Sequence, residues 1–221
     1  DVQAFDPTRQ EVPGRDGRSV TRGGAGQRLT GFLANTVGAS NSEPDARQVF
    51  TLDPTMPGRL LALDANAATL AKIGALLDPS GRMTPAQGLE LVRWIRGLDS
   101  LDADGDGDLQ ESRPWLLGAP LHSRPLAISY GARPGTAYSA SNPDIRLFFG
   151  TNDGVFHSLR NTAESGDESG RESWAFIPPA LLALQSSLAY NRGTAPGAHP
   201  YGIDGEAVAQ IEDRDGDGII E

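Results

Sequence analysis

Apolar residues recur at helical spacing in two neighbouring stretches of this chain and at strand-like spacing in several later ones. In the first stretch, ANAATLAKIGALL, Leu70, Ile73, Leu76 and Leu77 fall on one helical face. Asn66 stands where a capping side chain belongs, and Asp78, Pro79 and Gly81 end the run. The second stretch begins with a stronger signal. Thr84 predicts an N-cap, Pro85 the first helical residue and Gln87 the third, which together make a capping box. The helix PAQGLELVRWIR then runs to a stop at Gly97, with Leu89, Val92 and Ile95, joined by Leu91 and Trp94, as its apolar face.

Later segments change character. PLAISY (125–130), IRLFFG (145–150), VFHSL (155–159), ESWAFI (172–177) and AVAQI (207–211) predict strands. Between Gly150 and Gly154, Asn-Asp-Gly supplies the left-handed conformations of a tight hairpin. One helix interrupts, ALLALQSSLAY, led in by Pro178 and Pro179. Residues 49–63 predict one or two short strands broken by prolines. Residues 1 to 48 are rich in Gly, Arg, Asp and Ser without periodicity, and read as extended or loop-like, with GFLANTV (31–37) docking. The expected organisation is therefore an irregular segment with short strands (1–63), a helical region with an Asp-rich loop (64–115) and a β-rich region (116–221).

Composition narrows the function classes. The chain has 221 residues and no Cys, which excludes disulfides and thiolate metal sites. Its net charge of −10 argues against nucleic acid, which needs a concentrated basic surface. No apolar run is long enough to span a membrane. The chain opens with DVQAFDPTRQ, without an initiator Met or signal-peptide pattern, so the expectation is a mature form or a piece of something longer.

Much of the acid lies in two loops, DADGDGDLQE from Asp102 and DRDGDGIIE at the C-terminus. Alternating Asp with Gly at the sixth place is how a short loop wraps calcium, a hard cation that takes roughly six to eight oxygen ligands. In the C-terminal loop, Asp213, Asp215 and Asp217 take positions one, three and five. Gly218 takes six, Ile219 offers its carbonyl at seven, Ile220 is apolar at eight and Glu221 closes at nine. In the first loop, Asp102, Asp104 and Asp106 take the same three positions, with Gly107 at six and Asp108 at seven. Position twelve is Arg113, which cannot ligate, so Glu111, Gln110 or an acid from elsewhere must close that site.

Nothing comparable points to catalysis. The three His, at 122, 157 and 199, are scattered, and no nucleophile elbow or zinc ligand pair occurs. Asp153 and Asp204 sit in Gly-flanked turns, and Trp174 reads as core. The expectation is a non-enzyme with calcium as its only cofactor.

Four blocks in order carry a resemblance: RWIRGLDSLDADGDGDLQESRPWLLGAPLHSRPLAISYG, DIRLFFGTNDGVFHSL, GRESWAFIPPALL and HPYGIDG. Over about residues 92 to 221 the chain resembles the C-terminal domain of the PilY (PilC) family, the tip-associated adhesins of type IV pili. The resemblance implies a quinoprotein-like β-propeller displayed on the surface of a Gram-negative bacterium. It also implies partnership with minor pilins at the pilus tip, attachment to host or abiotic surfaces, and calcium at Asp213, Asp215, Asp217, Ile219 and Glu221. Glu221 stands where the family shows Asp. Gly170-x-x-x-Trp174 resembles a quinoprotein repeat, but no cofactor-specific residues accompany it. A blade needs four strands and roughly 40 to 50 residues, and a ring needs about four blades or more. Residues 116–221 therefore hold about two blades, and the expectation is a partial propeller, not a complete ring, completed by the remaining part of the same domain. The rival readings are a propeller enzyme of the quinoprotein type and a purely structural calcium module of a secreted protein.

Overall fold

In the computed structural model, residues 25–26, 28–29, 47–113, 115–162, 170–191, 201–214 and 220 are described. Strand β1 (Val49–Leu52) turns back into β2 (Leu60–Ala62). Helices α1 (Ala67–Leu77) and α2 (Pro85–Arg96) follow, then strands β3 (Leu126–Ser129), β4 (Ile145–Gly150), β5 (Phe156–Arg160) and β6 (Glu172–Phe176). A 3₁₀ turn, Pro179–Leu181, leads into α3 (Leu182–Ala189).

The helices begin where their caps place them. The Asn66 side chain accepts the Thr69 N–H at 2.9 Å. At α2 the capping box closes in both directions: Gln87 N donates to Thr84 Oγ1 at 3.3 Å, and Thr84 N donates to Gln87 Oε1 at 3.0 Å. Gly97 ends α2 in the left-handed region, at φ 111°, with its N–H on the carbonyls of Arg93 and Trp94. The buried stripe of α2 is Gly88, Leu91, Val92, Ile95 and Arg96, while Leu89 and Trp94 are only half-buried. The stripe is thus rotated from the expected one, because α1 lies close: a Cβ on Gly88 would sit 2.6 Å from Leu70 Cδ1. Arg96 is fully buried and donates to the Leu63 carbonyl at 3.3 Å.

The six strands form one open, mixed sheet in the order β2-β1-β6-β5-β4-β3. Strands β3 to β6 make an antiparallel meander, and β1 adds to β6 in parallel, with Val49 opposite Ala175 and Phe50 opposite Phe176. The sheet does not close on itself. Strands from the first 63 residues therefore share a sheet with strands from the β-rich region. The β4–β5 hairpin is closed by Thr151 N on the Val155 carbonyl at 2.9 Å, with Gly154 at φ 85° supplying the left-handed step.

Expectations for two segments fail. AVAQI (207–211) forms no strand; it pairs with no sheet edge among the described residues and leaves Val208 93% exposed. The N-terminal segment is not loop-like throughout, since Ala25, Gly26, Arg28 and Leu29 are helical and Leu29 packs against Leu116.

The helices cover one face of the sheet. Val49, Ala175, Ile177 and Val155 pack there against Ile73, Leu77, Leu91, Val92, Ile95 and Leu182. Each such buried aliphatic contributes about 1.5–3 kcal/mol relative to exposure. The opposite face carries Phe148, Trp174 and Phe156, with ring centroids 5.9 and 6.2 Å from Trp174. Phe50, Leu60, Phe156, Trp174, Phe176, Pro178 and Ile203 line an apolar cavity of about 530 Å³ there. Trp174 is therefore not in the closed core as expected, because strand alternation puts it on the face the helices leave uncovered.

Candidate metal centre

The loop from Leu98 to Arg113 is clamped at its neck. Asp99 N donates to the Glu111 carbonyl at 2.9 Å, and Arg113 N donates to the Gly97 carbonyl at 2.9 Å. Leu98 and Ser112 form an antiparallel bridge between these bonds. The loop thus springs from the C-cap of α2 and returns to it. Arg113, at the twelfth place, packs its guanidinium 3.7 Å over the Trp94 ring. Burial, with the nearby charge of Arg47, lowers its pKa to about 10 against the opposing pull of the Asp153 and Asp99 carboxylates. The residue that cannot ligate serves as the anchor of the loop.

Within the loop the backbone donors organise the acids. Gly107 N donates to Asp102 Oδ1 at 3.1 Å, so the sixth-position amide ties the first carboxylate inward. Asp106 N donates to Asp104 Oδ1 at 3.3 Å, and Asp108 N to Asp106 Oδ1 at 2.7 Å. Gly105 and Gly107 take φ of 78° and 86°, which L side chains rarely adopt. Asp102 is itself left-handed, at φ 51°. Each of these three carboxylates keeps its second oxygen free of the bonds just described.

Two overlapping groups result. One oxygen each from Asp102, Asp104 and Asp106 lie within 4.8 Å of one another, and so do oxygens of Asp99, Asp104 and Glu111. Either group can hold a metal ion. An all-oxygen set without imidazole or thiolate suits a hard cation. The charge of Asp106 first, then burial, Asp104, Asp108 and Asp99, push the Glu111 carboxyl above its usual range. The neighbouring carboxylates thus disfavour its ionised form.

Of the first-loop residues expected to ligate, Asp102, Asp104, Asp106 and Glu111 come together. Asp108 joins neither group, and its Oδ1 accepts Gln110 N at 2.9 Å. Of the C-terminal loop, Asp213 is exposed, while Asp215, Asp217, Ile219 and Glu221 lie outside the described residues. Asp99 was missed in the sequence because it precedes the alternating run. Its signal was its place two residues after the Gly97 helix stop.

A second polar centre joins the two layers. Arg47 Nε donates to Glu172 Oε2 at 2.6 Å, and Arg47 Nη1 to the Ile95 carbonyl at 3.0 Å. His157 Nδ1 lies 2.7 Å from Glu172 Oε1, and His157 Nε2 lies 3.2 Å from Thr151 Oγ1. Burial alone would raise the Glu172 pKa. The charge of Arg47 and the bonds from His157 and Arg47 outweigh it and hold the carboxyl at about 2. Thr151, His157 and Glu172 follow one another as nucleophile, base and acid do in a catalytic triad. Thr151 and His157 are both fully buried, however, and Thr151 Oγ1 also lies 2.9 Å from the Val155 carbonyl. The line is a tie between hairpin, sheet and helix α2. His122, by contrast, is exposed and meets Asp204 at 2.9 Å, while His199 lies outside the described residues.

Fold and site together define a β-rich module with an open mixed sheet, a helical layer and an acidic loop able to hold a metal ion. No family model matches the chain, and neither a curated protein nor a solved structure matches it.

Proposed function

We propose that this chain is a calcium-binding portion of a surface-displayed adhesin or assembly factor of the type IV pilus tip. The observation that carries the calcium reading is the convergence of Asp102, Asp104 and Asp106 within 4.8 Å around a loop whose Gly107 amide is bonded to Asp102. Calcium neutralises that crowding and stabilises the fold by mass action.

The pilus reading rests on the four sequence blocks that resemble the PilY family. The β3–β6 meander supports it, because a four-stranded antiparallel sheet is the unit of a propeller blade. The aromatic face of Phe148, Phe156 and Trp174 also supports it, since neighbouring blades bury such faces. On this reading the chain serves pilus biogenesis, twitching motility and attachment, with minor pilins as partners and the cell surface as location.

Two experiments test the two halves separately. Calorimetric titration with calcium chloride should show saturable binding that is lost in Asp104→Asn combined with Asp215→Asn. No heat and no thermal shift would sink the calcium reading. Immobilised chain should retain purified minor pilins in calcium and release them in chelator. Absence of retention under both conditions would overturn the pilus assignment and leave calcium binding untouched.

A further inference from the structure

The buried line from Thr151 through His157 to Glu172 has acceptors at both ends. Glu172 is ionised, its carboxyl held at about 2, so its oxygens can only accept. Arg47 Nε donates to Oε2 at 2.6 Å, and Arg47 Nη2 donates to Oε1 at 3.1 Å. His157 Nδ1 meets the same Oε1 at 2.7 Å, and that nitrogen must carry a proton.

The other end is equally one-sided. Thr151 Oγ1 lies against Asp153 Oδ1, the Val155 carbonyl at 2.9 Å and His157 Nε2 at 3.2 Å. A hydroxyl has one proton to give, while a carboxylate and a carbonyl can only accept. Were that proton spent on Nε2, the Thr151 oxygen would face two acceptors lone pair to lone pair. Directed instead to Asp153 or Val155, it leaves the oxygen as an acceptor for the imidazole. Nε2 is then a donor as well.

The surroundings balance the resulting charge. His157 is fully buried, with Phe149 of β4 stacked on its ring at 5.4 Å and Ala175 of β6 opposite. Charge reaches it from β6 as Glu172, from the entry to β1 as Arg47 and from the hairpin turn as Asp153. Helix α2 takes Arg47 Nη1 on the Ile95 carbonyl at 3.0 Å, and α3 offers neutral Gln185, which donates to the Asp153 carbonyl at 2.6 Å. One step further out, Arg113 interacts with Arg47, Asp153 and Asp99. With His157 charged, the cations Arg47, Arg113 and His157 match the anions Glu172, Asp153 and Asp99. A neutral imidazole would leave one carboxylate of this group uncompensated.

We propose that His157 carries a proton on both ring nitrogens in the folded chain and acts as a pH-sensitive switch on the Thr151 hydroxyl. While Nε2 keeps its proton, the hydroxyl is directed to Asp153 and the Val155 carbonyl and locks the β4–β5 turn. When Nε2 gives its proton to solvent, the hydroxyl turns to the bare nitrogen and the lock is lost. Nδ1 keeps its proton, because Glu172 remains ionised. The same turn holds a later segment: Gly202 N donates to the Asn152 carbonyl at 2.9 Å, and Ile203 N to the Thr151 carbonyl at 3.1 Å. Release of the turn therefore reaches Ile203 in the apolar cavity.

The test uses the full chain with isotope-labelled histidine. Proton–nitrogen correlation spectra from about pH 5 to about pH 10 report the state of each ring nitrogen. At about pH 7 both nitrogens of His157 should give the protonated signal, and a bare Nε2 there overturns the proposal. As pH rises and Nε2 loses its proton, the backbone amide signals of Asp153, Gly154 and Ile203 should shift along the same curve. Amide signals that stay still while Nε2 titrates overturn the switch. Thr151→Val removes the hydroxyl and should abolish these coupled shifts, while Thr151→Ser keeps it and should show them as the parent does. Shifts that survive in the Val variant, or that fail to appear in the Ser variant, also overturn the switch.

Discussion

His157 and Glu172 meet across β5 and β6 at 2.7 Å with both side chains buried, and Arg47 donates to both oxygens of the same carboxylate. Glu172 is thus the junction of three elements: the segment entering β1, the β5–β6 pair and, through Arg47, the end of α2. A buried ion pair need not outperform a well-packed apolar substitute, but breaking one by removing a single partner leaves a stranded charge. Glu172→Gln should therefore cost about 3–5 kcal/mol, read as a lowered midpoint in urea unfolding.

The same carboxylate sets an acid dependence. Its pKa falls from an ordinary 4.5 to about 2 in the folded protein. A depressed folded pKa means stability that is complete above the unfolded value and is lost as pH falls towards the folded one. Wild type should lose stability between about pH 4.5 and pH 2 more steeply than Glu172→Gln, measured by urea midpoints across that range.

Glu111 works in the opposite sense. Its pKa is raised by the charge of Asp106 and its neighbours, so ionising it costs more in the fold than in the unfolded chain. Metal-free stability contributed by this group is present at low pH and is lost as pH rises through the carboxylate range. Calcium should reverse that loss. Saturation at about a hundred times the dissociation constant is worth about 2.7 kcal/mol. For a chain of this size that is a melting shift of roughly 5–10 °C. The shift should be largest near pH 7 and shrink towards pH 4, where protons compete for the same oxygens.

Gly202 is a close-approach point. A Cβ there would lie 2.3 Å from Gly154 Cα and 3.0 Å from the Asn152 carbonyl, both backbone atoms that cannot swing aside. Gly202→Ala should lift Ile203 from the cavity beside Trp174, at a cost of about 1–3 kcal/mol. In a chain with Trp94 and Trp115 replaced by Phe, Trp174 fluorescence should shift to the red.

The helices were legible in the sequence because their causes are local. Asn66, the Thr84–Gln87 box and Gly97 act within a turn of where they stand, and the Leu and Ile spacing fixed the buried stripe to within a residue or two. Strands β3 to β6 were legible for the same reason, each being a short apolar run between turn residues. The loop acids Asp102, Asp104 and Asp106 came from spacing alone. What escaped is what depends on distant chain. Arg47 and Glu172 are 125 residues apart, and no local pattern marks either as half of a pair. Asp99 escaped because the neck of the loop, not the alternation beside it, brings it near Asp104 and Glu111. AVAQI misled because alternation makes a segment able to pair without bringing it beside either edge of the sheet.

Thr84→Ala offers a small check on the local reading. Loss of the box should cost about 0.5–2 kcal/mol, seen as a lower urea midpoint with unchanged calcium stoichiometry.

The parallel seam between β1 and β6 has a consequence for the order of folding. Between Val49 and its partner Ala175 the chain carries both helices, the acidic loop and the first three strands of the meander. Contacts of such long sequence separation are slow to form, because the chain between them must first be closed into a loop. Docking of the β1–β2 ribbon on β6 should therefore be the slow, late phase of refolding, measured by stopped-flow after dilution from urea. Any agent that captures that edge first, a chaperone or another copy of the chain, would compete with the final step of assembly rather than with the core.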